Sequence, residues 1–521
     1  MGVNQLWTLV STSASTQKLR DLNLEAGFIK NYHQSRALNI GIDAPLLLDT
    51  FHAANRTANK HSLHNSDTTL TQLFRLLCQL SEAAVNCIFF FDGLERAAVK
   101  RGRQVIHREP DYYTNAKALI ECFGYYTFTA CGDAEAELAD FNSKGILDAV
   151  LTKDSDVFPF GAQIVLVPDF TKTTGQDLNV NIYKAETIQN DLELSRAGFI
   201  LIALLLRSDS AAGVAGIGSK TAFGLARCGF GDALLTAYNE FSSAPSQLSN
   251  VFKQLNLAMA HEIQFDPHAK IGSRSASRAD KFRNSQFPSA ENLATLRHFL
   301  SPPLHQSVSV QWLPRIPDLL SISSFCRDHF NWTVELTAKR FHNELWPGLI
   351  GRMLCSKYLA YNLETYEIVV PQLRCPLSFN SNGKPYIPML SAAIERPGAI
   401  TLNGKLPVDT IPITFSTEFF IRLSNLNSDN FRTTRRVNVS VAMIAVVLKK
   451  TGMVSGLDDM LGPRPTLLEN ANASSEQSIP SSSTDGCNGM LTEETVKKDL
   501  GIIELTDDED EEYEVIELDS D

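Results

Sequence analysis

A chain of 521 residues with 44% hydrophobic content can bury roughly two or three domain cores, which excludes a wholly disordered or fibrous protein. Its nine cysteines are scattered without CxxC or Cys/His ligand spacing, so the spacing indicates neither a disulfide framework nor a zinc site, and a reducing compartment is expected. The net charge of −12 is unevenly held: residues 452–521 carry 19 Asp and Glu against three Lys and Arg, whereas residues 1–451 carry 40 acids against 44 bases. A mildly basic body therefore precedes a strongly acidic tail.

The opening MGVNQLW has Leu6 where a myristoylation signal needs Ser or Thr, and it lacks the basic-then-apolar layout of a secretory leader. The longest apolar stretches, 199–206 and 439–448, fall short of the roughly 20 residues that span a bilayer, so no membrane partner is expected. Residues 1–235 alternate strand-like and helix-like segments, which predicts an α/β domain with a mostly parallel central sheet flanked by helices. Candidate strands are ALNIGI, NCIFFF, YYTFTA, DAVLT and QIVLV, separated by helical patterns such as TQLFRLLCQLSEAAV and TNAKALIECFG.

Three of the apolar runs end in carboxylates: LNIGI runs into Asp43, CIFFF into Asp92, and AVLTK into Asp154 with Asp156 two residues on. Ligand sites in open α/β sheets lie beyond the carboxyl ends of the strands, so these acids are expected to converge. Gathered carboxylates repel one another, and divalent cations between them relieve the repulsion. The alternative at any single position is an Asp that caps the following helix; recurrence across three strands favours a shared metal site.

Two further acids, Asp133 and Glu135, follow the YYTFTA run and open an apparent helix. Side chains at i and i+2 do not share a helix face, so the pair can serve one site only by straddling the helix start; acids placed against the helix dipole are the alternative. Asp209 ends FILIALLLRSD and leads into GVAGIGSKTAFGLA. That segment is not a Walker loop, because Ser219 separates Gly218 from Lys220. Gly216 and Gly218 before a helix can still present backbone N–H groups to one phosphate, with Lys220 adding charge, or they can be purely structural turns. After Asp92 comes a basic group, Arg96, Lys100, Arg101, Arg103 and Arg108, which reads as a solvated face or, beside an acidic metal site, as a holder of phosphates.

The rest of the chain divides by composition. Residues 236–360 read as a helical extension containing a mobile basic loop at about 265–290, with Lys270, Arg274, Arg278, Lys281 and Arg283. Residues 361–452 read as a β-rich module and 453–521 as a disordered acidic tail. Within the tail, Ile502, Ile503 and Leu505 precede an acidic run, and Val515, Ile516 and Leu518 stand in VIELDSD. Both clusters resemble SUMO-interacting motifs, which add a strand to a partner's sheet edge; chance aliphatics in a solubilising tail are the alternative, and a tail that folds back on a basic face is a third reading.

In order, MGVNQLW, IGIDA, FFFDG, GDAEAELA, DAVLTKDSDVFPFGA and LLLRSDSAAGVAGIGSKTA resemble the flap endonuclease superfamily of structure-specific 5′ nucleases, which is XPG-like with a PIN-like fold. The match covers about 1–235. QFPSAENLATLRHFLSPPL and the stretch from IPDLLSISSFCRDHFNW to LWPGLIGRML resemble the eukaryotic Holliday-junction resolvase branch more weakly. The segment between Asp92 and Tyr125 is too short for a long helical arch capped by an extra helix pair, which also favours that branch.

The resemblance implies catalytic and metal-binding roles for Asp43, Asp92, Asp133, Glu135, Asp154, Asp156 and Asp209, holding two Mg²⁺ ions, with Mn²⁺ able to substitute. It implies a helix-two-turn-helix at Gly216, Gly218 and Lys220 gripping duplex DNA, strand-steering by Arg96, Lys100, Arg101 and Arg103, and Gly2 near the DNA junction. Asp133 stands where the family usually has Glu, and Ser210 where it usually has Tyr. The expected protein is a nuclear Mg²⁺-dependent endonuclease for branched DNA in repair and recombination, a monomer dimerising on junctions and recruiting SUMO or SUMO-modified partners. The competing expectations are a replication or repair flap endonuclease and a catalytically weakened junction-binding scaffold. The β-rich module occupies the place of a chromodomain-like DNA-contacting element in the resolvase relatives.

Overall fold

The computed structural model describes residues 3, 5–29, 37–58, 68–96, 99–100, 103–104, 109–170, 177–206, 213–306, 312–315 and 317–355, with short stretches between 360 and 440. The chain separates into two units, Met1–Pro465 and Thr466–Asp521, of which the second lies outside the described residues.

The strands of the first unit are β1 Ser15–Lys18, β2 Asn39–Asp43, β3 Asn86–Phe91, β4 Val99–Lys100, β5 Arg103–Gln104, β6 Tyr126–Thr129, β7 Ala149–Leu151, β8 Ile164–Asp169 and β9 Asn179–Lys184. Seven of them form one sheet in the order β1-β9-β8-β7-β2-β3-β6, while β4 and β5 form a separate hairpin. The five strands β8, β7, β2, β3 and β6 run parallel, and β9 pairs antiparallel with both β8 and β1.

Every residue of β2 and β3 is buried, as central parallel strands covered on both faces require. The alternation of β3 assigns its side chains to two layers. Cys87, Phe89 and Phe91 join the cluster formed with the helices Ala44–Ala58, Thr68–Glu82 and Asp111–Cys122, whereas Ile88 and Phe90 join the cluster formed with Ala134–Ser143 and Arg196–Leu205. Helices thus cover both faces. The chain leaves β2 for β3 and then β6 on one side, and returns by the helix Ala134–Ser143 to β7 on the other side of β2. The switch point of the winding therefore lies between β2 and β7, where their carboxyl ends open a crevice.

The segment expected as a helical extension completes both layers. Phe252, Met259, Phe282 and Phe299 join the second cluster, while Phe325, Phe341 and the fully buried Trp346 join the first. Further along, Thr410–Ser416 pairs antiparallel with Thr434–Ser440, and Phe420 stacks on Trp346 with ring centroids 5.8 Å apart. No helix among the described residues is long and apolar enough to cross a membrane.

The basic stretch at 265–290 is not the free loop that its polarity predicts. Residues Ala276–Arg283 form a helix capped by the Ser275 hydroxyl, with Ala279 and Phe282 buried. Three of its five bases are engaged locally: Lys270 pairs with Glu193 at 2.8 Å, Arg278 donates to the Thr221 and Ser273 hydroxyls, and Arg283 pairs with Asp280, while Arg274 and Lys281 are exposed. Two well-placed apolar side chains and one cap outweigh a composition dominated by Ser and Arg.

Gly41, in the middle of β2, sets the seat of the helix Ala134–Ser143. A Cβ at this position would lie 2.4 Å from Leu138 Cδ2 and 2.6 Å from Leu147 Cδ1. Gly41→Ala is expected to lower the unfolding free energy by about 1–3 kcal/mol in urea titration. An unchanged midpoint would show that this helix does not rest on the strand.

Candidate active site

Asp43 closes β2 at the switch point and is 5% exposed. Its Oδ1 accepts from the Leu46 amide at 3.2 Å and its Oδ2 from the Thr152 hydroxyl at 2.9 Å. The same hydroxyl accepts from the Asp154 amide, and Asp154 Oδ1 accepts from the Asp156 amide, both at 3.0 Å. A single Thr therefore locks the turn after β7 to the end of β2. Asp154 and Asp156 are both buried.

Asp92 stands just past β3, where its Oδ1 accepts from the Ala134 amide and its Oδ2 from Arg96 at 2.7 Å. The Ala134 amide belongs to the first turn of the helix Ala134–Ser143, for which Asp133 is the N-cap residue. Asp133 and Glu135 therefore do straddle a helix start, and their carboxylates meet that of Asp92 with ligand atoms within 4.8 Å of one another. Asp133 is 1% exposed, and His298, from the helix Ala290–Leu300, brings its Nε2 to 3.2 Å from one carboxylate oxygen.

These groups form one electrostatic unit. Asp43 is raised from 3.8 to about 7, first by burial and then by the charges of Asp154 and Asp92. Asp92 in turn links that group to Asp133 and Glu135. A pocket with five carboxylates suits a hard divalent cation such as Mg²⁺ or Mn²⁺ better than a thiophilic one.

The structure brings together the carboxylates of Asp43, Asp92, Asp133, Glu135 and Asp154, and the buried Asp156 is tied to Asp154 through its backbone amide, while Asp209 lies outside the described residues. Gly2 and Arg101 lie outside them too, as do Ile502, Ile503, Leu505, Val515, Ile516 and Leu518. Next to Gly2, however, the Val3 amide donates to the Ser155 hydroxyl at 2.9 Å, and Trp7 Nε1 donates to the Lys153 carbonyl, so the N-terminus runs beside the Asp154–Asp156 turn. Lys100 and Arg103 sit in the β4–β5 hairpin, where the basic pattern would also fit a helix. Arg96 is turned onto Asp92. Gly216, in the left-handed region at φ 84°, Gly218 and Lys220 form an exposed turn into the helix Ser219–Arg227, with open space around both glycines.

Three residues that organise the pocket carry no motif of their own. Thr152 and Ser155 lie between the acids of DAVLTKDSD, where an alternation of hydroxyl and carboxylate side chains is a usable signal. His298 comes from a distant helix, and nothing local in the sequence points to Asp133.

This acid-lined crevice lies at the switch point of a mostly parallel sheet with a PIN-like fold. Residues 1–109 match the XPG N-terminal domain and residues 124–209 the XPG I-region, the two domains by which the chain is similar to the XPG-like flap endonuclease superfamily. It is 27% identical over 267 residues to Flap endonuclease GEN homolog 1 of Mus musculus, covering 47% of this chain and 27% of that relative. To Flap endonuclease GEN-like 1 of Arabidopsis thaliana it is 31% identical over 153 residues, covering 28% of this chain and 25% of the relative. The chain thus spans about a quarter of the length of these relatives. A crystal structure of the Holliday junction-resolving enzyme GEN1 with product DNA and Mg²⁺ shares the fold, with a TM-score of 0.59 and 20% identity over 87% of this chain and 99% of the other.

The raised Asp43 has a consequence for stability. In the unfolded chain this carboxyl ionises near 4, whereas in the folded chain it keeps its proton to about 7, so the folded state loses stability as pH rises through that window. Glu82, also raised to about 7 by burial, adds to the same trend. Without divalent cations, the unfolding temperature is expected to fall between about pH 4 and about pH 7, and less steeply in Asp43→Asn. Equal slopes for the two proteins would show that Asp43 is not the group being titrated.

Proposed function

We propose that this chain is a Mg²⁺-dependent, structure-specific DNA endonuclease that cuts branched DNA, four-way junctions and 5′ flaps, in repair and recombination. The supporting observation is the convergence of five carboxylates from the ends of β2, β3, β6 and β7 into one crevice, in a chain with XPG N-terminal and I-region domains. Asp43, Asp92, Asp133, Glu135, Asp154, Asp156 and Asp209 would hold two Mg²⁺ ions, or Mn²⁺ in their place. When bound, these ions supply Lewis-acid polarisation of the scissile phosphate, an activated water and stabilisation of the leaving oxygen. Cleavage on this scheme leaves 5′-phosphate and 3′-hydroxyl ends.

The protein's own groups orient the acids and the strand. Thr152 fixes the relative placement of Asp43 and Asp154 through its single hydroxyl. The exposed turn at Gly216 and Gly218 offers backbone N–H groups at a helix start, and Lys220 adds charge, an arrangement suited to one backbone phosphate of duplex DNA. The β4–β5 hairpin carries Lys100 and Arg103 on the segment that follows Asp92, where they would steer the cleaved strand. Arg96 is placed to offset charge at Asp92 and to exchange that carboxylate for a phosphate when DNA enters.

On this reading residues 1–235 are the nuclease core with its helix-two-turn-helix, 236–360 a helical extension, 361–452 a chromodomain-like β-rich module, and 453–521 an acidic tail. Paired cuts on a junction require two copies, so the protein dimerises on DNA. The Ile502, Ile503, Leu505 and Val515, Ile516, Leu518 clusters of the tail recruit SUMO-modified partners, and the protein works in the nucleus. A second reading, a junction-binding scaffold of weakened activity, is favoured by one observation: the short Asp133 side chain is held by His298.

A substrate panel decides between them. Purified protein with Mg²⁺ is expected to cut labelled flap and junction DNA, and Asp154→Asn/Asp156→Asn to lose activity by roughly a thousandfold or more while still binding. Binding by the unaltered protein without Mg²⁺-dependent cutting would leave only the scaffold.

A further inference from the structure

A second group of ligand-type side chains lies well away from the acidic crevice in sequence. Cys228 caps the C-terminus of the helix Ser219–Arg227, Glu262 lies near the end of the helix Pro245–Phe265, and His268 belongs to the loop that follows it. Their sulfur, carboxylate oxygen and ring nitrogen lie within 4.8 Å of one another. Glu262 is only 2% exposed, yet its Oε2 meets His268 Nδ1 at 2.7 Å and its carboxylate accepts from the Cys228 thiol. The His268 ring is 61% exposed, so solvent reaches the open side of the group.

The surrounding backbone is built to hold the loop there. Asp266 and Ala269 sit in the left-handed region at φ 47° and 54°, and the Asp266 carboxylate accepts from the Ile271 and Gly272 amides at 3.0 and 2.9 Å. The loop lies so close to the helix Ser219–Arg227 that a Cβ on Gly224 would come within 2.9 Å of the Lys270 carbonyl. Lys270 donates to the Arg227 carbonyl at 2.8 Å, and its charge favours a thiolate at Cys228.

A similar triple, Cys131, Glu137 and His305, is of a different kind. There the Glu137 oxygens are taken up by the Cys131 and His305 amides as well as by His305 Nδ1, so the carboxylate already serves as a clamp between backbone segments. At Glu262 the one backbone contact is the long 3.3 Å bond from the His268 amide, which leaves the carboxylate to the two ligand-type side chains.

We propose that Cys228, Glu262 and His268 bind one Zn²⁺ ion, with water as the fourth ligand, clamping the DNA-facing helix Ser219–Arg227 to the 266–272 loop. A thiolate, an imidazole and a carboxylate form a borderline-soft donor set that selects Zn²⁺ over Mg²⁺. On binding, the Cys228 proton leaves to solvent and His268 carries its proton on Nε2, freeing Nδ1 for the metal. Thiolate and carboxylate then balance the dication, and the buried Glu262 charge is compensated. Burial and Glu262 push the free thiol up to about 12, so the thiolate forms only with the metal.

The test uses the full chain, stripped of metal and kept in excess Mg²⁺ so that the carboxylate crevice is saturated. Titration with Co²⁺ is expected to give a thiolate-to-cobalt absorption band at about one equivalent, displaced by Zn²⁺. The band is lost in Cys228→Ser and retained in Cys131→Ser, and His268→Ala weakens Zn²⁺ binding by about tenfold or more while its metal-free far-ultraviolet circular dichroism matches that of the unaltered protein. Absence of a band, a band that follows Cys131, or unaltered affinity in His268→Ala overturns the proposal. None of these readouts depends on DNA cleavage.

Discussion

Mutual repulsion among buried carboxylates is the constraint around which this protein is built. Two like charges about 5 Å apart repel by roughly 3 kcal/mol at an effective dielectric constant of about 20, and the crevice gathers five carboxylates. The cost is visible at Asp43, which holds its proton to about 7. The fold limits the rest with the Arg96 guanidinium on Asp92, His298 beside Asp133, the Thr152 hydroxyl and backbone amides at Leu46 and Ala134. Such an arrangement stores electrostatic free energy that a bound dication releases, which makes the pocket both a liability of the metal-free fold and the source of its affinity.

The doubly wound sheet explains why these acids meet. Strands β2 and β7 are neighbours although β3 and β6 intervene in the chain, so Asp43 and Asp154 come together only because the winding reverses between them. Helix packing then sets distances. Gly41 lets the helix Ala134–Ser143 lie close on β2, and that helix carries Glu135 to the level of Asp92. The later helices support the same convergence, since their apolar faces complete both layers of the core and one of them delivers His298.

Basic residues are distributed to complement the acids. Arg96, Lys270, Arg278 and Arg283 read in the sequence as a positively charged surface, but each is engaged within the fold. Among the described residues, exposed positive charge is therefore narrower than composition implies and includes Lys220 at the glycine turn, Arg274 and Lys281. The Cys228, Glu262 and His268 group includes the C-cap residue of the helix that this turn opens.

Local pattern was enough for much of this. Short Ile, Val and Phe runs announced the parallel strands, because a strand covered on both faces must be apolar throughout, and a carboxylate just past three of them marked the crevice edge. The antiparallel strands β1 and β9 were not legible, since STQK and NVNIYK lack the apolar signal of a covered strand. The helix at Ala276–Arg283 was hidden by its polar composition and is held by two buried side chains. The zinc-type ligands were invisible as a motif because they come from three segments with no fixed spacing. The chain by itself determined which residue types could hold a hard metal and in what order they occur. Only the tertiary structure decided which polar groups face them, because contacts such as His298 Nε2 with Asp133 depend on packing between helices remote in sequence.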